Sequence, residues 1–449
     1  MKLQSKKILI LGMGITGKAS AQALSLMGAD LRVMDDHLED LLQTDPQVGN
    51  WRDQALYTLE EVRGFGPDLC VKSPGIPPTN EMVMGIRGLG VEVISDLEMA
   101  YRLFPDRKIL AISGTNGKTT TTALVGAIMR QTGQMVHVAG NIGVGMLEEF
   151  RRGGPEDIYV IECSSFQLED TRDFRPAAAA LINITPDHID WHGSMEAYVK
   201  AKGNLLRNLQ PKQCFVINGD DPILQEISKT MEAKAIPISL TKLPKDGYGL
   251  HDGGIYECKD GESTKIIDVS EIQIPGRHNI ENAMIAAALT RAVGTSIEDI
   301  QKAIREFKGV AHRLEFIREF DGVRYYNDSK GTNVDATIKA IEALPGPLVL
   351  FAGGYDKKVS FRDLFEAFDG KVKELLLMGE TQQLLREYAE EYQIPYTLIG
   401  GLEEGVLRAR EIAGTEDQVL LSPASASWGM YPNFEVRGEH FRQLVESLE

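Results

Sequence analysis

An α/β protein of three domains, each built on a mostly parallel sheet, is what this sequence predicts, and three observations lead there. The chain has 449 residues, too many for one ordinary hydrophobic core, and at about 150 residues per domain it suggests three units. Short apolar runs alternate with segments of helical period along most of its length, the pattern of repeated βαβ units. Several of those runs end in loops rich in Gly, Ser, Asn and Asp, and the C-terminal strand ends of open α/β sheets are where ligands bind. The expected boundaries are 1–96, 97–308 and 309–449.

Composition narrows the class. Hydrophobic residues make up 43% and charged residues 25% of the chain, ordinary for globular material. No apolar run approaches the ~20 residues of a membrane span, so no membrane partner is expected. The N-terminus passes straight into an apolar strand without the cleavage pattern of a signal peptide, which predicts a cytoplasmic protein. The four cysteines, Cys70, Cys163, Cys214 and Cys258, lack metal-binding spacing and read as reduced core thiols. A formal net charge of -17 excludes an ordinary nucleic-acid surface, which needs a basic footprint. It does not exclude anionic small molecules if cations and N–H groups are concentrated locally.

The first domain opens with an apolar strand over residues 8–11, then Gly12-Met13-Gly14-Ile15-Thr16-Gly17 and a helix. A second strand ends at Asp35-Asp36. This is a G-x-G-x-x-G turn with an acid about twenty residues beyond, a Rossmann-like opening for a nucleotide diphosphate, either NAD or a sugar nucleotide. Ser73-Pro74-Gly75-Ile76 makes a rigid loop after a further strand.

The centre of the chain is the stretch from Lys108, an apolar strand followed by Ser113-Gly114-Thr115-Asn116-Gly117-Lys118-Thr119-Thr120 and a helix. Backbone N–H groups and a helix N-terminus would face phosphates there, with Lys118 reaching the β/γ-phosphates and Thr119 ligating Mg²⁺. The generic loop pattern fails by one residue, because Ile112 stands where its first glycine belongs. Further strand ends carry Asn141, Glu162 and a Thr185-Pro186-Asp187-His188-Ile189-Asp190-Trp191-His192 segment. Glu162 is placed either for a Mg²⁺ ligand or as an exposed strand-end carboxylate, and the His/Asp segment suits Mg²⁺ or Mn²⁺ beside phosphate better than structural zinc. Lys202 alone reads as a solvated helix lysine. Residues 248–274 suggest a small antiparallel excursion, and residues 275–282 open an Ala-rich helix.

In the third domain βαβ alternation resumes, with strands near Tyr325, Leu348, Leu375 and Val419. Asn327-Asp328-Ser329-Lys330, Gly353-Gly354-Tyr355-Asp356-Lys357 and Ser422-Pro423-Ala424 all fall at C-terminal strand ends and so share one face of the sheet.

Together these blocks resemble the ATP-dependent amide-forming ligases of bacterial cell-wall precursor synthesis, the Mur ligase family, over nearly the whole chain. The loop Ser-Gly-Thr-Asn-Gly-Lys-Thr-Thr is similar to that family's own phosphate loop. The Glu162-Cys163-Ser164-Ser165-Phe166-Gln167-Leu168 block and the tail Asn433-Phe434-Glu435-Val436-Arg437-Gly438 resemble the branch that adds D-glutamate to UDP-N-acetylmuramoyl-L-alanine. The resemblance implies a Rossmann-like first domain, a central P-loop ATPase-like domain and a Rossmann-like third domain. It implies ATP and two Mg²⁺ ions (Mn²⁺ possible) as cofactors, small-molecule substrates and a monomer. Gly114, Thr115, Asn116, Gly117, Lys118, Thr119, Thr120, Asn279, Asn282, Arg313 and Asp328, with His312 beside them, match ATP-side positions. Ile15, Thr16, Asp35, Asp36, Ser73, Pro74, Gly75 and Asn141 match the UDP-substrate side, Asn141 also lying near the metals. Lys330, Thr332, Lys357, Ser427 and Phe434 match positions around D-glutamate. Thr119, Glu162, His188 and Lys202 match metal ligands, Lys202 as a carbamylated lysine, and Lys118, His188 and Lys202 are the implied catalytic group. Gly429 departs from the family, which often has Asp there. The implied reaction passes through an acyl phosphate, with domain closure assembling the site. The runner-up is a sister ligase adding another amino acid to a UDP-muramoyl or folate substrate. An NAD-linked dehydrogenase and a nucleotide switch without ligase activity are the rivals from other classes.

Overall fold

The computed structural model describes residues 3, 6–357 and 359–449. It divides into two compact units, Met1–Glu271 with Glu281–Arg305, and Ile272–Ile280 with Glu306–Glu449. The division falls inside the helix Arg277–Ala292.

The first unit holds two sheets. Strands β1 (Lys7–Leu11), β2 (Asp30–Met34), β3 (Leu69–Lys72) and β4 (Glu92–Ser95) pair in the order β2-β1-β3-β4, all parallel. β1 is a continuous apolar run because both its faces are covered. Ile8 and Ile10 join one core with Leu24 and Leu97, while Leu9 and Leu11 pack with Val62, Val83 and Ile86 on the other side. β1 is flanked by β2 and β3, so the chain reverses direction across the sheet at the Gly-rich turn, the position at which such folds bind ligands.

The second sheet contains β5 (Lys108–Ser113), β6 (Val136–Gly140), β7 (Ile158–Glu162), β8 (Ala178–Leu181), β9 (Cys214–Asn218), β10 (Lys234–Ser239), β11 (Gly247–His251), β12 (Gly254–Lys259) and β13 (Glu262–Asp268). Their order is β13-β12-β11-β10-β9-β8-β5-β7-β6. Pairing is parallel from β6 to β11 and antiparallel from β11 to β13. The expected antiparallel excursion is therefore an extension of the central sheet. Two Asp-Gly turns make it, Asp252-Gly253 and Asp260-Gly261, each with both residues at positive φ, the backbone that two-residue hairpins require.

Two elements end earlier than periodicity suggests. The apolar run from Ala178 to Ile184 is strand only as far as Leu181, because Asn183 turns to hold the neighbouring loop. The segment 195–209 has helical apolar spacing throughout but is helix only over Met195–Gly203. Asn204 there donates its side chain to the Leu168 carbonyl, and the chain continues in three-residue turns.

The second unit carries β14 (Glu315–Phe320), β15 (Val323–Asn327), β16 (Leu348–Ala352), β17 (Val372–Leu377), β18 (Tyr396–Leu398) and β19 (Gln418–Leu421) in the order β14-β15-β19-β16-β17-β18. Only β14 and β15 are antiparallel. β19 inserts between β15 and β16, which brings the loops after all three strands to one edge. Leu348 and Leu350 pack into one core and Val349 and Phe351 into the other, so this sheet too is buried on both faces. All four cysteines are free thiols, and no helix among the described residues is long and apolar enough to cross a membrane.

Candidate functional site

At the end of β5, Ser113 donates to the Cys163 carbonyl at 2.8 Å, and the loop then turns through Gly114 and Gly117 into the helix Lys118–Gln131. Gly117 has φ +83, and a Cβ there would stand 2.4 Å from the Asn282 Oδ1. Both the backbone and the neighbouring helix therefore demand glycine. Asn183 clamps the loop, its Oδ1 accepting from Thr115 N at 3.0 Å and Asn116 N at 2.9 Å. Thr115 Oγ1 donates to the Thr185 carbonyl, accepts from the Thr185 amide and lies 2.9 Å from the Tyr198 hydroxyl. Lys118 curls back, its Nζ donating to the carbonyls of Gly114 at 3.0 Å and Thr115 at 2.9 Å. Thr119 and Thr120 fill the first helical turn, nearly buried, and Thr121 donates to Asn282 at 3.1 Å. Asn183 and Tyr198 escape a motif-based reading. The signal that could have found Asn183 is its place two residues past a strand parallel to β5.

Buried charge gathers beside this loop. Glu162 closes β7, and its Oε1 accepts from Asn141 Nδ2 at 3.0 Å. Its Oε2 is buried with no hydrogen-bond partner among the described residues, and an orphaned carboxylate oxygen of this kind suits a cation. Lys202 is 2% exposed. Its Nζ donates to the Gly114 carbonyl at 2.6 Å and lies 4.7 Å from the Tyr198 ring centre. Burial, reinforced by the positive charge of Lys118, pushes its pKa far below the ordinary lysine value, against the pull of Asp187, Cys163 and Glu162. His188 is half exposed at the start of the short helix Ile189–His192, with a left-handed φ of 52°. Its Nε2 lies 3.3 Å from Asp187 Oδ2, and its ring lies 4.7 Å from that of Phe166. His192 bonds Ser165 Oγ at 3.0 Å, and burial drives its pKa to about 4, so it is neutral. No group of three His, Cys, Asp or Glu suited to a metal occurs among the described residues.

A cavity of about 620 Å³ lies in the same unit. Ile15, Thr16, Asp35, Asp36, Ser73, Pro74, Gly75 and Asn141 all line it. Asp35 orders its rim by accepting from Met13 N at 2.7 Å and His37 N at 2.9 Å. Gly17 lets the turn close, since a Cβ on it would fall 1.7 Å from the Gly12 carbonyl oxygen. Asn141 links this cavity to Glu162 through both its side chain and its amide.

Asn282 belongs to the first unit, whereas Asn279, Arg313 and Asp328 belong to the second. There Asn279 Nδ2 donates to the Pro275 carbonyl at 2.6 Å. Asp328 is buried, accepting from Ser422 Oγ at 2.7 Å and Leu314 N at 3.1 Å, and burial raises its pKa to about 6. His312 Nδ1 accepts from Asn327 at 2.9 Å. Lys330 lies 5.1 Å from the Phe434 ring centre. Lys357 Nζ donates to the Thr332 carbonyl at 3.1 Å, and burial lowers its pKa. Ser427 is buried and its carbonyl accepts from Tyr431 N. Thus Lys330 and Phe434 form one contact and Thr332 and Lys357 another. Arg437, 1% exposed, knits the tail to the β15 loop through Ser329 Oγ, Ser329 O and Ser425 O. Gly429, the departure from the family pattern, has φ +85, which glycine adopts without strain.

Two family models match the chain, the Mur ligase middle domain over residues 112–290 and the Mur ligase glutamate ligase domain over residues 312–425. UDP-N-acetylmuramoylalanine--D-glutamate ligase of Alkaliphilus metalliredigens is 45% identical over 455 residues, covering 100% of this chain and 99% of the relative. The ligase of the same name from Caldicellulosiruptor saccharolyticus is 38% identical, covering 100% of both. Among solved structures, the UDP-N-acetylmuramate-alanine ligase of Thermotoga maritima shares the fold at a TM-score of 0.61 with 18% identity, over 98% of this chain and 99% of that one. MurF ligase of Thermotoga maritima, solved in complex with ADP, matches at 0.57 with 16% identity, over 99% and 96% of the two chains. With its phosphate loop, its three largely parallel sheets and full-length identity of this order, the chain belongs to the Mur ligase family.

Proposed function

We propose that this chain is an ATP-dependent ligase that joins D-glutamate to UDP-N-acetylmuramoyl-L-alanine in peptidoglycan precursor synthesis. The observation that carries the reading is full-length identity of 45% to a ligase named for that reaction. A carboxylate is a poor acyl donor because oxide is a poor leaving group. In the proposed sequence a carboxylate oxygen of the UDP substrate attacks the γ-phosphorus of ATP, the bond to ADP breaks, and an acyl phosphate forms. The D-glutamate nitrogen then attacks the acyl carbon, the C–O bond to phosphate breaks, and the amine proton passes to solvent.

The residues divide the work by position. Residues 1–96 hold the UDP moiety in the 620 Å³ cavity, residues 97–308 hold ATP, and residues 309–449 hold D-glutamate through Lys330, Thr332, Lys357, Ser427 and Phe434. Asn279, Asn282, Arg313 and Asp328 serve the nucleotide. Lys118, at a helix N-terminus, would exchange its loop carbonyls for the β/γ-phosphates and neutralise charge on the transferring oxygens. Two Mg²⁺ ions fit the donor set. Thr119 and the orphaned Glu162 Oε2 suit one, His188 suits the second, and Lys202, whose burial disfavours the ammonium, would supply a carbamate oxygen after adding CO₂ and losing a proton. Bound there, the ions would polarise the phosphoryl group and shield its charge. The setting is the cytoplasm and the working form a monomer.

Phosphate release with UDP-N-acetylmuramoyl-L-alanine and a panel of amino acids tests this. D-Glutamate alone should support turnover. Release with L-alanine or diaminopimelate instead, or with no amino acid at all, would overturn the assignment.

A further inference from the structure

Lys72 ends β3 and is 1% exposed. A lysine ammonium has three donors, and three oxygens lie within reach of this one. They are the Ile76 carbonyl at 2.7 Å, the Ser73 carbonyl at 3.3 Å and Asp170 Oδ2 at 3.1 Å. The Trp191 ring centre stands 5.5 Å from the same nitrogen, and Trp191 Nε1 donates to the Gly75 carbonyl at 3.3 Å. Asp170 in turn lies 2.6 Å from Arg87 and fixes β4 through its own carbonyl, which accepts from Ser95 N.

Two of the three Lys72 acceptors are thus backbone of Ser73–Pro74–Gly75–Ile76, the loop whose every residue lines the 620 Å³ cavity. The ammonium donates to two loop carbonyls and is ion-paired with Asp170, and Lys72 is not among the residues lining the cavity, so a direct contact with substrate is not its role. Among the described residues the loop has one internal hydrogen bond, from Ile76 N to the Ser73 carbonyl at 3.2 Å, and Pro74 offers no amide, so Lys72 adds the one partner of the Ile76 carbonyl and a second one for that of Ser73. On the far side, Trp191 is three residues from His188 and its ring centre lies 4.5 Å from that of Phe166, the planes tilted by 36°, and Phe166 is itself a cavity residue.

We propose that Lys72 is the positioning residue of the substrate loop, holding the carbonyls of Ser73 and Ile76 and registering them, through Asp170 and Trp191, against the His188 segment. The inference rests on the functional reading above. Removing the ammonium should loosen the uridine-nucleotide side of the site while leaving the phosphate loop intact.

The test compares Lys72→Met, Asp170→Asn and Arg87→Ala with the parent enzyme. KM is measured for each of the three substrates, and UDP-N-acetylmuramoyl-L-alanine is titrated directly in a calorimeter. For Lys72→Met, KM and Kd for the UDP substrate should rise roughly tenfold or more, the scale expected when a loop shifts by a fraction of an ångström. KM for ATP and for D-glutamate should stay within about twofold. Asp170→Asn should reproduce the same split in smaller degree, and Arg87→Ala should leave all three KM values unchanged, because Lys72 still pairs with Asp170. An unchanged Kd in Lys72→Met, or an equal rise in all three KM values, would overturn the proposal. If Lys72→Met does not fold, the Asp170→Asn split decides it. If the parent enzyme itself fails to bind the UDP substrate, the functional reading falls first and this one with it.

Discussion

Two lysines of the first unit are almost equally buried and do opposite things. Lys72 has a carboxylate and two carbonyls around its ammonium. Lys202 has one carbonyl and a second cation, Lys118, near it. Burial lowers the pKa of both and outweighs the nearby carboxylates in each, but Asp170 limits the fall at Lys72, whereas at Lys202 the Lys118 charge deepens it. A buried ammonium held by a carboxylate and two carbonyls is a fixed structural node, and one that faces a second cation instead holds its proton less tightly. The contrast separates scaffold from chemistry without reference to motif.

The largest expected effect lies on the reactive side. Lys118→Ala and Lys202→Met should each lower phosphate release by about 10²–10³ or more, the scale of a lost electrostatic clamp. Circular dichroism should show both folded, and near-normal release from either would break the comparison. On stability the order reverses. Lys72→Met breaks a buried pair and should cost roughly 3 kcal/mol in urea unfolding. Lys202→Met removes a buried amine held by one carbonyl and by no carboxylate among the described residues and should cost about 1 kcal/mol or less. Equal losses in the two variants would mean that pairing does not distinguish them.

Asp328 extends the same logic to an acid. Its folded pKa is raised to about 6 by burial, so the native state binds more protons than the unfolded state between the usual carboxylate value and that pH. The contribution of Asp328 to stability should therefore be fully present below about pH 4 and be lost as pH rises through about 6, a loss on the order of 1–3 kcal/mol. Asp328→Asn, which keeps both hydrogen-bond positions, should flatten that slope, as denaturation midpoints at pH 5 and pH 8 would reveal. The smallest effect is Gly117→Ala, about 1 kcal/mol from the left-handed backbone, with a further loss of nucleotide affinity as Asn282 is displaced.

The sheets, the phosphate loop and the Gly-rich turn were legible because each depends on local pattern, namely apolar runs ending at glycines. The hairpin strand β14 was not, since Glu315-Phe316-Ile317-Arg318-Glu319-Phe320 is a half-exposed edge with no clean alternation. β18 is three residues long. Lys202 shows the limit most clearly. On residues alone it reads as a solvated helix lysine, and only the fold carries it under the Gly114 carbonyl, 88 positions away in the chain. Asn183 and Lys72 carry no local signal for the same reason, because their partners are set by sheet order and no spacing encodes that.

The placement of β5 also dictates when the nucleotide loop can form as the chain is synthesised. The β11–β13 hairpins join near neighbours and can close within microseconds of being made. β5 instead waits for β7 and β8, and Thr115 meets its Asn183 clamp only 68 residues later. A ribosome that stalls before that point leaves a phosphate-binding sequence with no phosphate-binding site.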